Sequence, residues 1–180
     1  MLAADANQGW SLDQALQIVP RLGDFNLRWL EEPLRADRPR QEWRKLRDIA
    51  PMPLAAGENI ASREDFAQVL SEGVLDVVQP DIAKWGGLSV CSGLAGDIIK
   101  AERTFCPHYL GGGIGLLASA HLLAGAGGDG WLEVDINDNP LRDQFCGPVF
   151  DVSNGTVTLN EEPGLGIVPD IRSIERFRTL

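Results

Sequence analysis

Short apolar runs that end on an ionisable residue alternate along this chain with longer stretches in which apolar side chains return every three or four positions. The first pattern predicts a buried strand whose C-terminal tip reaches a surface, and the second predicts a helix packed on one face. The runs fall at residues 1–5, 27–31, 53–58, 75–81, 105–108 and 131–133, and they end at Asp5, Glu31, Glu58, Asp81, His108 and Glu133. Between the first two runs, Ser11 with Gln14 three residues on is a capping box for a helix carrying Leu12, Ala15, Leu16, Val19 and Leu22. Pro20 should kink or end that helix early. Pro39 begins a second helix with Trp43, Leu46 and Ile49 on its buried face. Ser62 caps a third, with Asp65 in the capping position and Phe66, Val69 and Leu70 inward. Gly86 and Gly87 lead into a fourth from about 88 to 103, and Gly111, Gly112 and Gly113 open a fifth that runs to about 126.

Strand and helix repeated in this way predict a parallel sheet with helical crossovers. The six polar tips are separated by 26, 27, 23, 27 and 25 residues, about one βα unit each. In a closed βα barrel all strand C-termini face one mouth, and that mouth carries the chemistry. An open doubly wound sheet also collects its strand ends on one edge but has no reason to place an ionisable group at every tip. The expected fold is therefore α/β, with residues 1–133 forming barrel units. After Glu133 the period stops. Phe150, Asp151 and Val152, then Asn154-Gly155, then Val157, Thr158 and Leu159 read as a hairpin with a primed turn. Residues 134–180 are expected to form an appendage packed on the barrel or on another domain.

Composition narrows the partners. The 180 residues carry a net charge of −10, which disfavours nucleic acid and anionic membrane surfaces, since both call for Lys/Arg stripes. Three cysteines, Cys91, Cys106 and Cys146, show no Cys-x-x-Cys spacing and suit a reducing cytoplasm. No apolar run reaches the length of a membrane span, and no signal-peptide pattern is present, so a cytoplasmic protein is expected.

Asp5, Glu31 and Glu58, from successive strands, form a hard-oxygen set of the kind that suits Mg²⁺. The alternative is three helix-capping or loop carboxylates without a metal. Glu31 is the inward acid if Leu30 packs outward on the helices, because Glu32 alternates to the other face. Asp81 and His108, on the next two tips, are placed for an Asp–His hydrogen bond that orients the imidazole as a general base or acid. Against that stands a purely structural histidine, which is the reading taken for His121. Asn7 and Asn59 follow ring acids and are candidate supporting donors. Lys84 either reaches the mouth or is exposed, and exposure is the expectation. Glu133 either bonds a substrate oxygen or pairs with Arg142. The three glycines before the fifth helix lack the Gly-Lys-Ser/Thr of a phosphate loop, so tight turning is expected of them.

Taken together, Asp5-Ala6-Asn7, Trp29-Leu30-Glu31-Glu32-Pro33, Gly57-Glu58-Asn59, Gln79-Pro80-Asp81 with Gly86-Gly87, Pro107-His108 and Trp131-Leu132-Glu133 resemble the enolase superfamily, mandelate racemase subgroup, from residue 3 to about 170. The resemblance implies a (β/α)₇β barrel of the TIM type. It implies Mg²⁺ at Asp5, Glu31 and Glu58, an Asp81–His108 dyad in which His108 moves the proton, and Glu133 bonding the substrate carboxylate or enolate. The chemistry it implies is removal of the proton α to a carboxylate, giving an enediolate. The substrate would be a small carboxylate, an acid sugar or hydroxy acid. Members with an Asp–His dyad commonly dehydrate acid sugars, and Glu133-Val134-Asp135 with Asn139-Pro140-Leu141-Arg142 resembles those members. Others racemise hydroxy acids or cycloisomerise lactones. The first strand here resembles the third strand of the family barrel. The expectation is thus a partial barrel of about six βα strands, without the N-terminal cap domain and the two earlier strands, the second of which carries a basic residue. Either it is part of a longer, homo-oligomeric enzyme, or it is a truncated remnant without turnover.

Overall fold

The computed structural model describes residues 1–147 and 154–179. Five strands lie in one sheet: β1 (Ala4–Asp5), β2 (Leu30–Glu31), β3 (Leu54–Ala56), β4 (Val77–Val78) and β5 (Thr104–Phe105). They are hydrogen-bonded in sequence order, β1-β2-β3-β4-β5, and every pair is parallel. The register sets Ala4 beside Leu30, Leu30 beside Leu54, Ala55 beside Val77 and Val78 beside Phe105. One further parallel bridge, Asp81 with His108, extends the β4–β5 pairing into the tips. The helices between the strands are α1 (Leu12–Ile18), α2 (Arg40–Arg47), α3 (Arg63–Glu72) and α4 (Gly87–Lys100), and α5 (Gly113–Ala126) follows β5.

The helix ends follow local chemistry. The Ser11 hydroxyl accepts from the Gln14 amide at 3.3 Å, while the Gln14 side chain accepts from the Ser11 amide at 2.9 Å, closing the capping box. Pro20 removes a donor, and the chain tightens at Val19 into a 3₁₀ segment, Val19–Phe25. The Ser62 hydroxyl accepts from the Asp65 amide at 3.0 Å, and Gly73, at φ 64°, closes the other end of α3.

Alternation along the strands builds two apolar layers. Leu30, Leu54, Ala56, Val78 and Phe105 pack outward against Ala15, Trp43, Leu46, Phe66, Val69, Leu94 and Ile98 on and around the helices. Ala55, Val77 and Cys106 point the other way and form a separate inner cluster with Trp29. Leu30 thus faces the helices, and Glu31 faces the concave side.

Two strand expectations are corrected. Trp131 and Leu132 form no strand. Their segment runs beside β5, but the Trp131 amide donates to the Cys106 thiol at 3.3 Å and the Tyr109 amide donates to the Glu133 carboxylate at 3.3 Å. Side-chain atoms occupy the positions that a ladder would fill with carbonyls. Residues 157–159 likewise form no strand, and the first arm of the expected hairpin, 150–152, lies outside the described residues. Asn154 and Gly155 do take the positive φ values, 54° and 75°, that a primed turn requires. Ile49 is 41 % exposed rather than buried, because α2 ends at Arg47 and Ile49 leaves the helical face. Past the arc, a short helix α6 (Pro140–Asp143) and a 3₁₀ segment, Ile171–Phe177, are joined by the Asp170 amide to the Phe145 carbonyl at 2.8 Å. Among the described residues no helix is long and apolar enough to cross a membrane.

Candidate active site

The tips of the strands carry the ionisable groups, and two backbone features aim them. Glu32 takes φ 37° directly before Pro33, which ends β2 and turns consecutive acids in different directions. Gly57, at φ 152°, lies so close to β4 that a Cβ there would fall 2.5 Å from the Gln79 nitrogen and 2.6 Å from its carbonyl carbon. Only glycine permits this approach, and Glu58 follows it immediately. Gly57→Ala is expected to force β3 and β4 apart and to cost about 1–3 kcal/mol. Thermal unfolding checks this, and an unchanged midpoint would show that the two strands can separate freely.

His108 is buried at the centre of the mouth. Its Nδ1 lies 2.8 Å from Asp81 Oδ2, its Nε2 contacts Glu58, and Glu133 Oε2 lies 3.9 Å from Nε2. Burial lowers the imidazole pKa, but the bonds to Asp81 and Glu58 and the charge of Glu133 outweigh it and push it up to about 10. The same bond to His108 is the largest influence on Glu58, whose pKa falls to about 2 against the opposing effect of burial. Asp81 is pushed up by its burial, yet His108 and the amides of Ala83 and Lys84 hold it below the usual range.

Glu58 also accepts from Asn59 Nδ2 at 2.7 Å and from Lys84 Nζ at 3.2 Å. Lys84 is exposed, as expected, with its side chain 46 % accessible, and it nevertheless reaches the mouth through Glu58. Asn59 bridges, since it donates to both Glu32 oxygens at 2.9 and 3.1 Å as well. Glu32 is 2 % exposed, and burial raises its pKa to about 7, with the charges of Glu58, Asp5 and Glu31 adding to the effect of burial. Asp5 accepts from the amide and side chain of Asn7 at 2.7 and 3.0 Å. Glu31 accepts from Trp29 Nε1 at 3.1 Å. Burial raises Glu31, the donors Gln79 and Trp29 pull it back, and the charge of Asp5 raises it again. Glu133 is raised by burial, with the charge of His108 opposing. Arg142 does not pair with Glu133. Its guanidinium donates to Asp143, to the Asp135 carbonyl at 2.6 Å and to the Asn137 carbonyl at 2.8 Å.

Asp5, Glu31, Gln79, Cys106, Trp131 and Glu133 line a cavity of about 250 Å³ on the concave side of the sheet. Burial pushes the Cys106 thiol up to about 11, and its sulfur accepts from the Trp131 amide. Among the described residues no three His, Cys, Asp or Glu side chains are drawn together into a ready metal cluster. Asp5, Glu31 and Glu58 share the mouth, but their oxygens are turned to Asn7, Trp29 and His108. The donor set still fits a hard cation. It is all carboxylate oxygen, Glu58 is held ionised, and Glu31 and Glu32 both respond to the negative charges of their neighbours.

Two features of the site escaped sequence reasoning. The Tyr109 ring lies where a Cβ on Gly115 would fall, 2.2 Å from the phenol carbon, and its hydroxyl lies 2.5 Å from where a Cβ on Gly111 would fall. The glycines beside α5 thus make room for Tyr109. Adjacency of Tyr109 to these glycines was the only signal in the sequence. Gln79 is the second. It is buried on the inner side of the tip of β4, within a motif whose Asp81 drew the attention.

An arc of parallel βα units whose tips gather carboxylates around an Asp–His pair defines part of a TIM-type barrel. The chain belongs to the enolase C-terminal domain-like family, whose model matches residues 1–174. Its relatives come from the mandelate racemase/muconate lactonizing enzyme subgroup of the enolase superfamily. A crystal structure described as mandelate racemase/muconate lactonizing enzyme from Bordetella bronchiseptica RB50 is 52% identical, with a TM-score of 0.93, over 97% of this chain and 49% of that one. D-galactarolactone cycloisomerase of Agrobacterium fabrum is 29% identical over 98% of this chain and 49% of its own length. A crystal structure of an L-talarate/galactarate dehydratase mutant liganded with Mg and L-glucarate is 26% identical, with a TM-score of 0.85, over 99% of this chain and 42% of that one. The chain spans about half the length of the curated relatives it matches.

Proposed function

We propose that these residues form the proton-transfer and metal-binding half of an enzyme that removes the proton α to a carboxylate, and that the substrate is an acid sugar which then loses its β-hydroxyl. The observation that carries this reading is His108, buried with Nδ1 on Asp81 and Nε2 aimed at the carboxylates of the mouth.

Asp81, fixed by the amides of Ala83 and Lys84, holds the Nδ1 proton and so leaves Nε2 as the atom that exchanges protons with substrate. Asp5, Glu31 and Glu58 would hold Mg²⁺, which supplies, when bound, a concentrated positive charge opposite the negative charge that develops on the substrate carboxylate. Asn7 and Asn59 keep two of those three side chains in place. Glu133, raised by burial, stands 3.9 Å from Nε2 and is placed to share a hydrogen bond with a substrate oxygen. With Glu58 turned to the cation, Nε2 would lose one of the partners that hold its proton; His108 then takes the α-proton, the electron pair of the broken C–H bond forms the C=C bond, and the β-hydroxyl departs with the proton that His108 returns. Water and an enol result, and the enol becomes a 2-keto acid. The mandelate racemase-type and dehydratase relatives, and the L-glucarate that one of them holds, support the substrate class.

A second reading is supported by the D-galactarolactone cycloisomerase relative. It shares the first proton transfer and differs in the later steps, so the product separates the two. Acid sugars incubated with the complete polypeptide and Mg²⁺ in D₂O are expected to give 2-keto acids, with activity abolished by EDTA and restored by Mg²⁺. Deuterium at the α-carbon without a keto product would favour racemase or cycloisomerase chemistry. A complete polypeptide that gives neither would favour a remnant without turnover.

A further inference from the structure

Glu32 sits in its place at a cost of two kinds. Its carboxylate is buried. Its φ of 37° is one that residues with a Cβ seldom adopt, and Pro33 directly after it narrows the backbone further. The main chain is held there from both sides. The Glu32 amide donates to the Ala55 carbonyl at 3.0 Å, and the Glu32 carbonyl accepts from the Gln8 amide at 2.8 Å. Leucine or methionine would fill the same space without burying a carboxylate, and asparagine would take the positive φ more readily. Neither packing nor the turn therefore accounts for a glutamate here.

What glutamate adds is a pair of acceptors for Asn59. The Asn59 Nδ2 lies 2.9 and 3.1 Å from the two Glu32 oxygens and 2.7 Å from Glu58 Oε1. An amide NH₂ carries two hydrogens, one for each of these carboxylates, and its oxygen can face neither. With Glu32 on one side and Glu58 on the other, the Asn59 amide has one orientation. The end of β2 thus reaches over to the tip of the neighbouring β3 and fixes the donor that holds Glu58 Oε1.

We propose that Glu32 is a positioning residue that acts through Asn59 to hold the Glu58 carboxylate in the mouth, and that it thereby raises the affinity of the site for a divalent cation without touching the cation. This rests on the reading of Asp5, Glu31 and Glu58 as the cation-binding set.

The test compares two replacements in the complete polypeptide, with Mg²⁺ affinity read by calorimetry and folding by the thermal midpoint. Glu32→Leu removes both acceptors and is expected to weaken Mg²⁺ about 10–100-fold, the range for partners that orient metal ligands, while the midpoint holds or rises. Glu32→Gln keeps an acceptor oxygen for Asn59 at the same reach and is expected to restore Mg²⁺ binding to near the native affinity. In an Asn59→Ala background Glu32→Leu is expected to cause no further weakening, because the two residues act as one unit. Glu32→Met, which keeps an unbranched chain, is read in the same way if the Leu variant does not fold. Unchanged affinity in the folded apolar variant overturns the proposal. An equal loss in Glu32→Gln overturns it in favour of the charge itself, and an equal loss in the Asn59→Ala background removes Asn59 as the link. Failure of both apolar variants to fold overturns it in favour of a structural role. Failure of the underlying reading looks different: Glu58→Gln itself would then bind Mg²⁺ as the native protein does, and the proposal would fall with it.

Discussion

His108→Asn in the complete polypeptide is expected to slow exchange of the substrate α-proton with solvent by a factor on the order of 10²–10⁴, the usual share of a positioned acid or base. Asparagine is the informative replacement. Its amide can still donate toward Asp81, which is 5 % exposed and would otherwise lose the partner now 2.8 Å away. Alanine would leave that carboxylate buried with one fewer donor, at a cost on the order of 1–3 kcal/mol, and would confuse misfolding with lost chemistry. Proton NMR of the α-position in D₂O reads the result, and Mg²⁺ calorimetry shows that the rest of the mouth is intact. Exchange at the native rate would remove His108 from the mechanism.

Glu58→Gln should have its largest effect on the cation. Glu58 is held near 2 by His108, and it is the acid on which His108, Lys84 and Asn59 converge. Glutamine keeps the shape and removes the charge. Mg²⁺ affinity is expected to fall by more than the roughly 10–100-fold that outer partners cost, because a ligand itself is lost. The imidazole gives an independent signal. Glu58 is one of the groups that raise His108 to about 10, so its neutralisation should bring the His108 titration down, which NMR of the ring protons would follow. Unchanged Mg²⁺ affinity would take Glu58 out of the cation set even if the histidine titration moved.

The Gly57 variant probes the same region from the backbone side. Gly57 is where β3 approaches β4 most closely, and the residue it touches is Gln79. A single close contact therefore links the tip that carries Glu58 to the tip of β4 that leads to Asp81.

Much of this was legible in the chain itself. The helix starts at Ser11 and Ser62, the early end forced by Pro20 and the outward placement of Leu30 all follow from neighbours within a turn of helix or a step of strand. The in-phase ionisable tips were legible for the same reason, since a constant period needs no tertiary contact to be seen. The sixth strand was not. Trp131 and Leu132 have strand-like composition, but side-chain bonds stand where a ladder would, from the Trp131 amide to the Cys106 thiol and from the Tyr109 amide to the Glu133 carboxylate.

By itself the sequence determined a parallel βα arc, the side of it on which the ionisable tips gather and the identity of the groups there, because these depend on periodicity and on local stereochemistry. Only the tertiary structure decided which of those groups meet. It brought Lys84 to Glu58, buried Glu32 behind Asn59, turned Arg142 to the Asp135 carbonyl and away from Glu133, and filled the glycine-lined start of α5 with Tyr109. Each of these is a contact between groups at the tips of different elements or within a loop. Its direction is set by rotamers and by distances of a few tenths of an ångström, which no spacing along a chain can encode.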